Sequence, residues 1–212
     1  MAQPVWIFDL DNTLHDANVH VFPHINRAMT EYMMTHLHLE ENAACALRRH
    51  YWERYGATLH GLVRHHGTDP HHFLHHTHQF PQLERMLLHT PGLRQALQRL
   101  GGRKVVFTNA PMAYASRVLE ILGLRQCFER VFSIESTRFQ PKPSKSAFLR
   151  ILATLRTPAT NCIMVEDSLP ALRTAKALGM KTVYINPQPW RPAYVDARLN
   201  SVLALPGIAT NL

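Results

Sequence analysis

The segment Val5-Trp6-Ile7-Phe8-Asp9 has the unbroken apolar character of a β-strand covered on both faces. Nothing of that kind follows until Lys104-Val105-Val106-Phe107, about ninety residues later. A lone strand cannot bury itself. Val5 to Asp9 must therefore enter a sheet built from much later parts of the chain, and the intervening residues must form an insertion outside that sheet.

Beyond residue 90 the pattern alternates. Strands are predicted over Lys104 to Asn109, Val131 to Ile134, Asn161 to Asp167 and Thr182 to Asn186. Helices are predicted over Pro111 to Leu122, Ser144 to Leu155, Leu169 to Leu178 and Asp196 to Leu205, with Gly123 and Gly179 as stops. Alternating units with apolar strands imply a parallel, doubly wound α/β sheet of Rossmann-like type, with right-handed crossovers. The early interval carries helical periodicity only, over Pro23 to Leu37, Glu40 to Tyr55, Leu59 to His66, Pro70 to His78 and Gln82 to Leu88. Such an interval is too long for a plain loop. The expected organisation is a core of residues 1–14 and 91–212 and an all-helical cap of residues 15–90, set over the carboxyl ends of the strands.

Charge divides at the same boundary. Residues 1–90 carry −3 and residues 91–212 carry +11, for the net +8, and all 15 histidines lie between His15 and His89. The later arginines are scattered singly rather than clustered with aromatics, which points away from nucleic acid and toward solvated helix faces. No basic segment leads into an apolar signal core and no apolar run is long enough to span a bilayer, so a soluble cytoplasmic protein, a monomer or homodimer, is expected. Cys45, Cys127 and Cys162 lack C-x-x-C spacing and are expected to be buried thiols rather than a disulfide framework or zinc site.

The predicted strand ends carry the chemistry. Asp9 and Asp11 are two apart and project to one side of an extended chain. Thr108 and Asn109 end the next strand, Lys142 follows the third, and Glu166 and Asp167 end the fourth. The acids suit a hard cation such as Mg²⁺, and the hydroxyl and ammonium suit phosphate oxygens.

In this order the residues resemble the haloacid dehalogenase-like hydrolase superfamily. The match comprises D-x-D-x-T (Asp9 to Thr13), a Ser or Thr after the next core strand (Thr108), a Lys before Pro (Lys142-Pro143) and an acidic pair (Glu166-Asp167). The resemblance implies Asp9 as a nucleophile forming an aspartyl-phosphate and Asp11 as general acid, then base. It implies Mg²⁺ on Asp9, Asp167 and the main-chain carbonyl of Asp11, with Glu166 acting through water. Lys142 and Thr108 would bind the phosphoryl group, assisted by Asn109.

Dehalogenases of the superfamily lack the second acid, so Asp11 favours phosphoryl transfer. A calcium loop is discarded because Leu14 and His20 occupy its glycine and glutamate positions. The segment His50 to His78, through Tyr51, Tyr55, Gly56, Thr58, Gly61 and Leu62, is similar to the cap of the pyrimidine 5′-nucleotidase-like branch. Pro170, in the first turn after the acidic pair, departs from relatives but is tolerated there. The implied function is a Mg²⁺-dependent phosphomonoesterase acting on pyrimidine nucleoside 5′-monophosphates. The alternatives are a sugar-phosphate or phosphoglycolate phosphatase, or a phosphomutase. A phospho-acceptor module is a further alternative, although receiver domains have no helical lobe after strand one.

Three further readings concern the cap. Tyr51, Trp52 and Tyr55 are expected to pack between cap helices, and His15 lies where the chain leaves the catalytic loop and is a candidate to face the site. His71, His72, His75, His76 and His78 include i, i+4 pairs able to chelate a metal. With no Cys or acidic partner nearby, a solvated helix is the favoured reading.

Overall fold

In the computed structural model, which describes residues 3–212, the first strand, β1 (Val5–Phe8), is buried at every position. It pairs in parallel with β2 (Arg103–Phe107) on one side and β4 (Cys162–Glu166) on the other, so that Phe8 lies opposite both Val106 and Val165. With β3 (Arg130–Phe132), β5 (Lys181–Ile185) and β6 (Ala197–Leu199), the order is β3-β2-β1-β4-β5-β6, parallel throughout. The order reverses between β1 and β4, and open sheets of this type bind ligands at that crevice.

Alternation along β1 divides the core in two. Trp6 and Phe8 face a cluster with Leu97 of α6 (Leu93–Arg99) and Val118 and Leu119 of α7 (Met112–Ile121). Val5 and Ile7 face Phe148 and Ile151 of α8 (Lys145–Leu155) and Leu172 of α9 (Leu169–Ala177). The sheet is thus covered on both faces, as its apolar strands require.

Between β1 and β2 run α1 (Val21–Leu37), α2 (Glu41–Tyr55), α3 (Thr58–His66), α4 (Pro70–Thr77) and α5 (Leu83–Met86). Asp69 caps α4, accepting from the His71 N–H at 2.8 Å, and Pro70 takes the first helical position, where its missing donor costs nothing. A third apolar cluster, including Tyr32, Met33, Tyr51, Leu62 and Phe73, holds these helices together. Within it a Cβ on Gly61 would stand 2.2 Å from Cγ of Tyr51, so the tyrosine ring lies directly on the glycine backbone. Gly56 closes α2 with φ 77°, and a Cβ there would meet the Lys142 carbonyl at 2.9 Å.

The structure corrects several expectations. Asp196 to Leu205 is not a helix: Ala197–Leu199 is edge strand β6, followed by a 3₁₀ turn over Val202–Gly207. The Asp196 carboxylate accepts from Lys176 Nζ at 2.6 Å and from the Thr182 N–H at 2.8 Å, fixing the chain alongside β5, whose open ladder then completes the pairing. Helix α6 had no counterpart in the sequence reading. Trp52 is 62% exposed rather than packed between helices, because one step along α2 turns it about 100° away from the buried direction of Tyr51. Only Cys162 is buried, Cys45 and Cys127 being half-buried, and all three are free thiols. Among the described residues no helix is long and apolar enough to cross a membrane.

Gly61→Ala is expected to overpack against Tyr51 and lower stability by about 1–3 kcal/mol. Urea denaturation measures this, and an unchanged midpoint would show that the ring can move away freely.

Candidate active site

Asp9 is the first residue beyond β1. Its N–H still donates to the Val165 carbonyl at 2.9 Å, so the main chain stays pinned to the sheet while the carboxylate leaves it, only 6% exposed. Glu166 ends the neighbouring β4 and Asp167 follows. Carboxylate oxygens of Asp9, Glu166 and Asp167 lie within 4.8 Å of one another.

Lys142 reaches this group from the loop before α8. Its Nζ donates to Asp9 Oδ1 and to Glu166 Oε2, each at 2.6 Å, and sits 5.2 Å from the centre of the Phe107 ring. The other Glu166 oxygen accepts from the Asp167 and Ser168 N–H groups at 3.1 and 3.2 Å. Asn109 holds the lysine from behind: its Oδ1 accepts from the Lys142 N–H at 2.7 Å and its Nδ2 donates to the Lys142 carbonyl at 3.0 Å. Both ends of that carboxamide are therefore used on the Lys142 main chain. Thr108 is buried at the end of β2, where its hydroxyl accepts from the Ala110 N–H at 3.0 Å and keeps its own proton to donate.

Asp11 is treated differently from Asp9. Its Oδ1 accepts from the Tyr114 hydroxyl at 2.6 Å and lies 2.9 Å from Nε2 of the buried His15. His15 Nδ1 has no partner among the described residues. A buried lone pair is cheaper to leave unpaired than a buried N–H, so Nε2 carries the hydrogen and donates to Asp11. His78, at the end of α4, stands 5.9 Å from the Tyr114 ring, and desolvation holds it down to about 4, hence neutral at pH 7. His15 was a candidate from the sequence. Tyr114 and His78 were not, since a tyrosine one turn into a helix and the last of a histidine run carry no signal of their own.

The electrostatics are unbalanced. Burial, with Glu166 alongside, pushes Asp9 up to about 7 against the pull of Lys142. Burial also pushes Glu166 up to about 7, and burial and Asp9 together raise Asp167. Burial opposes the Lys142 charge, but Asp9 and Glu166 outweigh it and raise that group. One ammonium thus faces three clustered carboxylates, an all-oxygen donor set with negative charge to spare, which fits a hard divalent cation. A cleft beside Asp167, lined also by Asn12, His15, Asn186 and Ser201, leads to solvent.

Comparison with known proteins agrees with this geometry. The hydrolase family model described as haloacid dehalogenase-like hydrolase matches residues 5–179. The chain belongs to the haloacid dehalogenase-like hydrolases. Phosphoglycolate phosphatase of Pseudomonas savastanoi pv. phaseolicola is 27% identical over 99 residues, covering 45% of this chain and 36% of that protein. Phosphate metabolism protein 8 of Saccharomyces cerevisiae is 25% identical over 196 residues, covering 84% of this chain and 60% of that protein. This haloacid dehalogenase-like hydrolase therefore spans less than two thirds of the length of these curated relatives.

Solved structures share its fold. A HAD phosphatase from Thermococcus onnurineus matches with TM-score 0.68 at 19% identity, covering 98% of this chain and 97% of that one. L-2-haloacid dehalogenase from Xanthobacter autotrophicus matches with TM-score 0.63 at 14% identity, covering 99% of each chain. A HAD-hydrolase of Bacillus subtilis, solved bound to magnesium, matches with TM-score 0.61 at 17% identity, again covering 99% of each.

The raised acids have a measurable consequence. Asp9 and Glu166 hold their protons up to about 7 when folded, against 3.8 and 4.5 as free groups, so their contribution to stability falls as pH rises through that window. In EDTA, Asp9→Asn is expected to melt higher than the parent by about 2–5 °C at pH 8 and by much less at pH 5, where Asp9 is already protonated. A difference independent of pH would contradict the assigned shift.

Proposed function

We propose that this hydrolase is a Mg²⁺-dependent phosphomonoesterase acting through an aspartyl-phosphate on Asp9, with pyrimidine nucleoside 5′-monophosphates as substrates. The observation that carries the reading is the division between two carboxylates two residues apart. Asp9 lies among acids and one lysine, whereas Asp11 is held apart by Tyr114 and His15. A nucleophile and a separate proton donor are what ester cleavage with a poor leaving group requires.

In the first step Asp9 attacks phosphorus in line. The P–O ester bond breaks, and Asp11 passes its proton to the departing oxygen, releasing the alcohol. In the second, water attacks the aspartyl-phosphate, Asp11 takes the proton, and inorganic phosphate leaves with Asp9 restored. Lys142 and Thr108 donate to the phosphoryl oxygens, and Lys142 also favours the ionised form of Asp9 against the burial that opposes it. Asn109 acts as a positioning residue through the Lys142 main chain rather than as a phosphate ligand. Tyr114 and His15 fix the side chain of Asp11. Mg²⁺, held by Asp9, Asp167 and the Asp11 carbonyl with Glu166 behind, would neutralise phosphoryl charge.

The helical segment of residues 15–90 serves in this reading as a cap that excludes water and selects the leaving group. The nucleotide preference rests on the resemblance of the His50 to His78 segment to the nucleotidase branch. A phosphoglycolate phosphatase is the second reading, favoured by the name of the bacterial relative aligned over 99 residues.

A panel of nucleoside monophosphates, sugar phosphates and phosphoglycolate, with Mg²⁺ or EDTA, tests both readings. Release of phosphate from uridine or cytidine monophosphate is expected to exceed that from the other esters by about tenfold or more in kcat/KM, a factor worth about 1.4 kcal/mol. Preference for phosphoglycolate would transfer the assignment. Asp9→Asn should lower kcat by about 10³-fold or more, and substantial residual turnover would remove Asp9 from the nucleophile role.

Asp11→Asn should slow nucleotides by about 10²–10⁴-fold but p-nitrophenyl phosphate far less, because that leaving group needs no proton. Tyr114→Phe should follow the same pattern more weakly. Equal losses on good and poor leaving groups would count against the acid role.

A further inference from the structure

The sequence offers His71/His75 and His72/His76 as pairs on one helix, but the fold separates them. His71 stands edge-on to Phe139 at 4.9 Å, and the His75 carbonyl accepts from Gln79 Nε2. His72 and His76 instead meet a third imidazole from another helix, His36 in the last turn of α1. Ring centres are 4.2 Å apart for His72 and His76, 5.0 Å for His36 and His72, and 5.8 Å for His36 and His76. One ring nitrogen from each lies within 4.8 Å of those of the other two, and all three residues are exposed. Tetrahedral Zn²⁺ with nitrogen ligands needs them about 3.4 Å apart, so small side-chain rotations suffice.

From these contacts we propose that His36, His72 and His76 form a three-imidazole site for a borderline divalent metal of the Zn²⁺ or Ni²⁺ type, clasping α1 to α4.

Two features set this cluster apart from a chance group of surface histidines. The platform beneath it is fixed: Tyr32 of α1 and Phe73 of α4 are buried and pack edge-to-face with ring centres 5.0 Å apart, so the spacing of the two helices is set by the core. The rings are also oriented from behind. His76 Nδ1 lies 2.8 Å from the His72 carbonyl, which accepts only an N–H, so Nε2 keeps the lone pair a metal needs. His72 Nδ1 lies 2.8 Å from the Tyr32 hydroxyl, and donation to that oxygen frees its Nε2 in the same way. A carbonyl or hydroxyl holding the distal nitrogen is the usual support of a metal-bound histidine.

The donor set decides the class of ion. Three neutral nitrogens favour zinc or nickel over the hard cations suited to Asp9, Glu166 and Asp167, so Mg²⁺ does not compete for the site. Three protein ligands at an exposed position leave the fourth to water. Bound metal ties α1 to α4 and stabilises the folded chain by mass action.

The test is calorimetric titration of the intact protein with Zn²⁺ in millimolar Mg²⁺, alongside thermal melts. The parent is expected to bind one equivalent with a Kd tighter than about 100 µM and to melt higher with Zn²⁺. His36→Gln and His76→Gln, at exposed positions that spare the fold, should each weaken binding about tenfold or more, while His71→Gln and Asp9→Asn should leave it unchanged. Binding weaker than that limit, or affinity retained in His36→Gln, would overturn the proposal.

Discussion

The ammonium of Lys142 is the cation around which the site is assembled. Its two short contacts join residues 133 and 24 positions away, Asp9 just beyond β1 and Glu166 at the end of β4, across the point where the strand order reverses. Without it, the buried carboxylates at the ends of adjacent parallel strands would face each other with no counter-charge, and their mutual repulsion in a low-dielectric setting would work against the pairing of β1 with β4. The lysine main chain is in turn held by Asn109 from the end of β2. Three strands and the loop before α8 are thereby referred to a single charged group.

The compensation is partial, and that is its chemical value. One positive charge against three carboxylates leaves an excess of negative charge that suits a divalent ion, while the nearby Asp11 side chain is engaged by separate donors, the Tyr114 hydroxyl and the His15 ring. Two residues that are near-equivalent in the sequence acquire different environments because one faces the reversal point of the sheet and the other the first turn of α7. In the proposed mechanism this difference in environment, rather than residue type, would separate a metal-facing carboxylate from a proton-transferring one.

Much of this was legible in the sequence, for identifiable reasons. Strands buried on both faces leave continuous apolar runs, so β1, β2, β4 and β5 announce themselves, and acidic or hydroxyl residues at their ends mark the crevice. Edge strand β6 left no such trace: it is three residues long and half-buried, and its extended form depends on Asp196 meeting Lys176 and Thr182. Helix α6, at seven residues, is too short for its period to stand out. The positioning contacts of Asn109 and Tyr114, and the approach of His36 to His72, join residues 33, 103 and 36 positions apart, and spacing along a chain carries no record of such encounters.

The glycine that ends α2 has a bearing on how such a molecule can diversify. Gly56 rests its bare backbone on the Lys142 carbonyl, with no side chain between the helical segment and the loop that carries the ammonium. Elsewhere on that segment, exposed side chains such as Trp52 can change identity without being felt in the core. At this joint an added side chain would press on the Lys142 carbonyl and the Pro143 ring. The rest of the helical segment's surface is thus free to vary, provided this point of articulation with the loop that carries the charge keeps the smallest residue available.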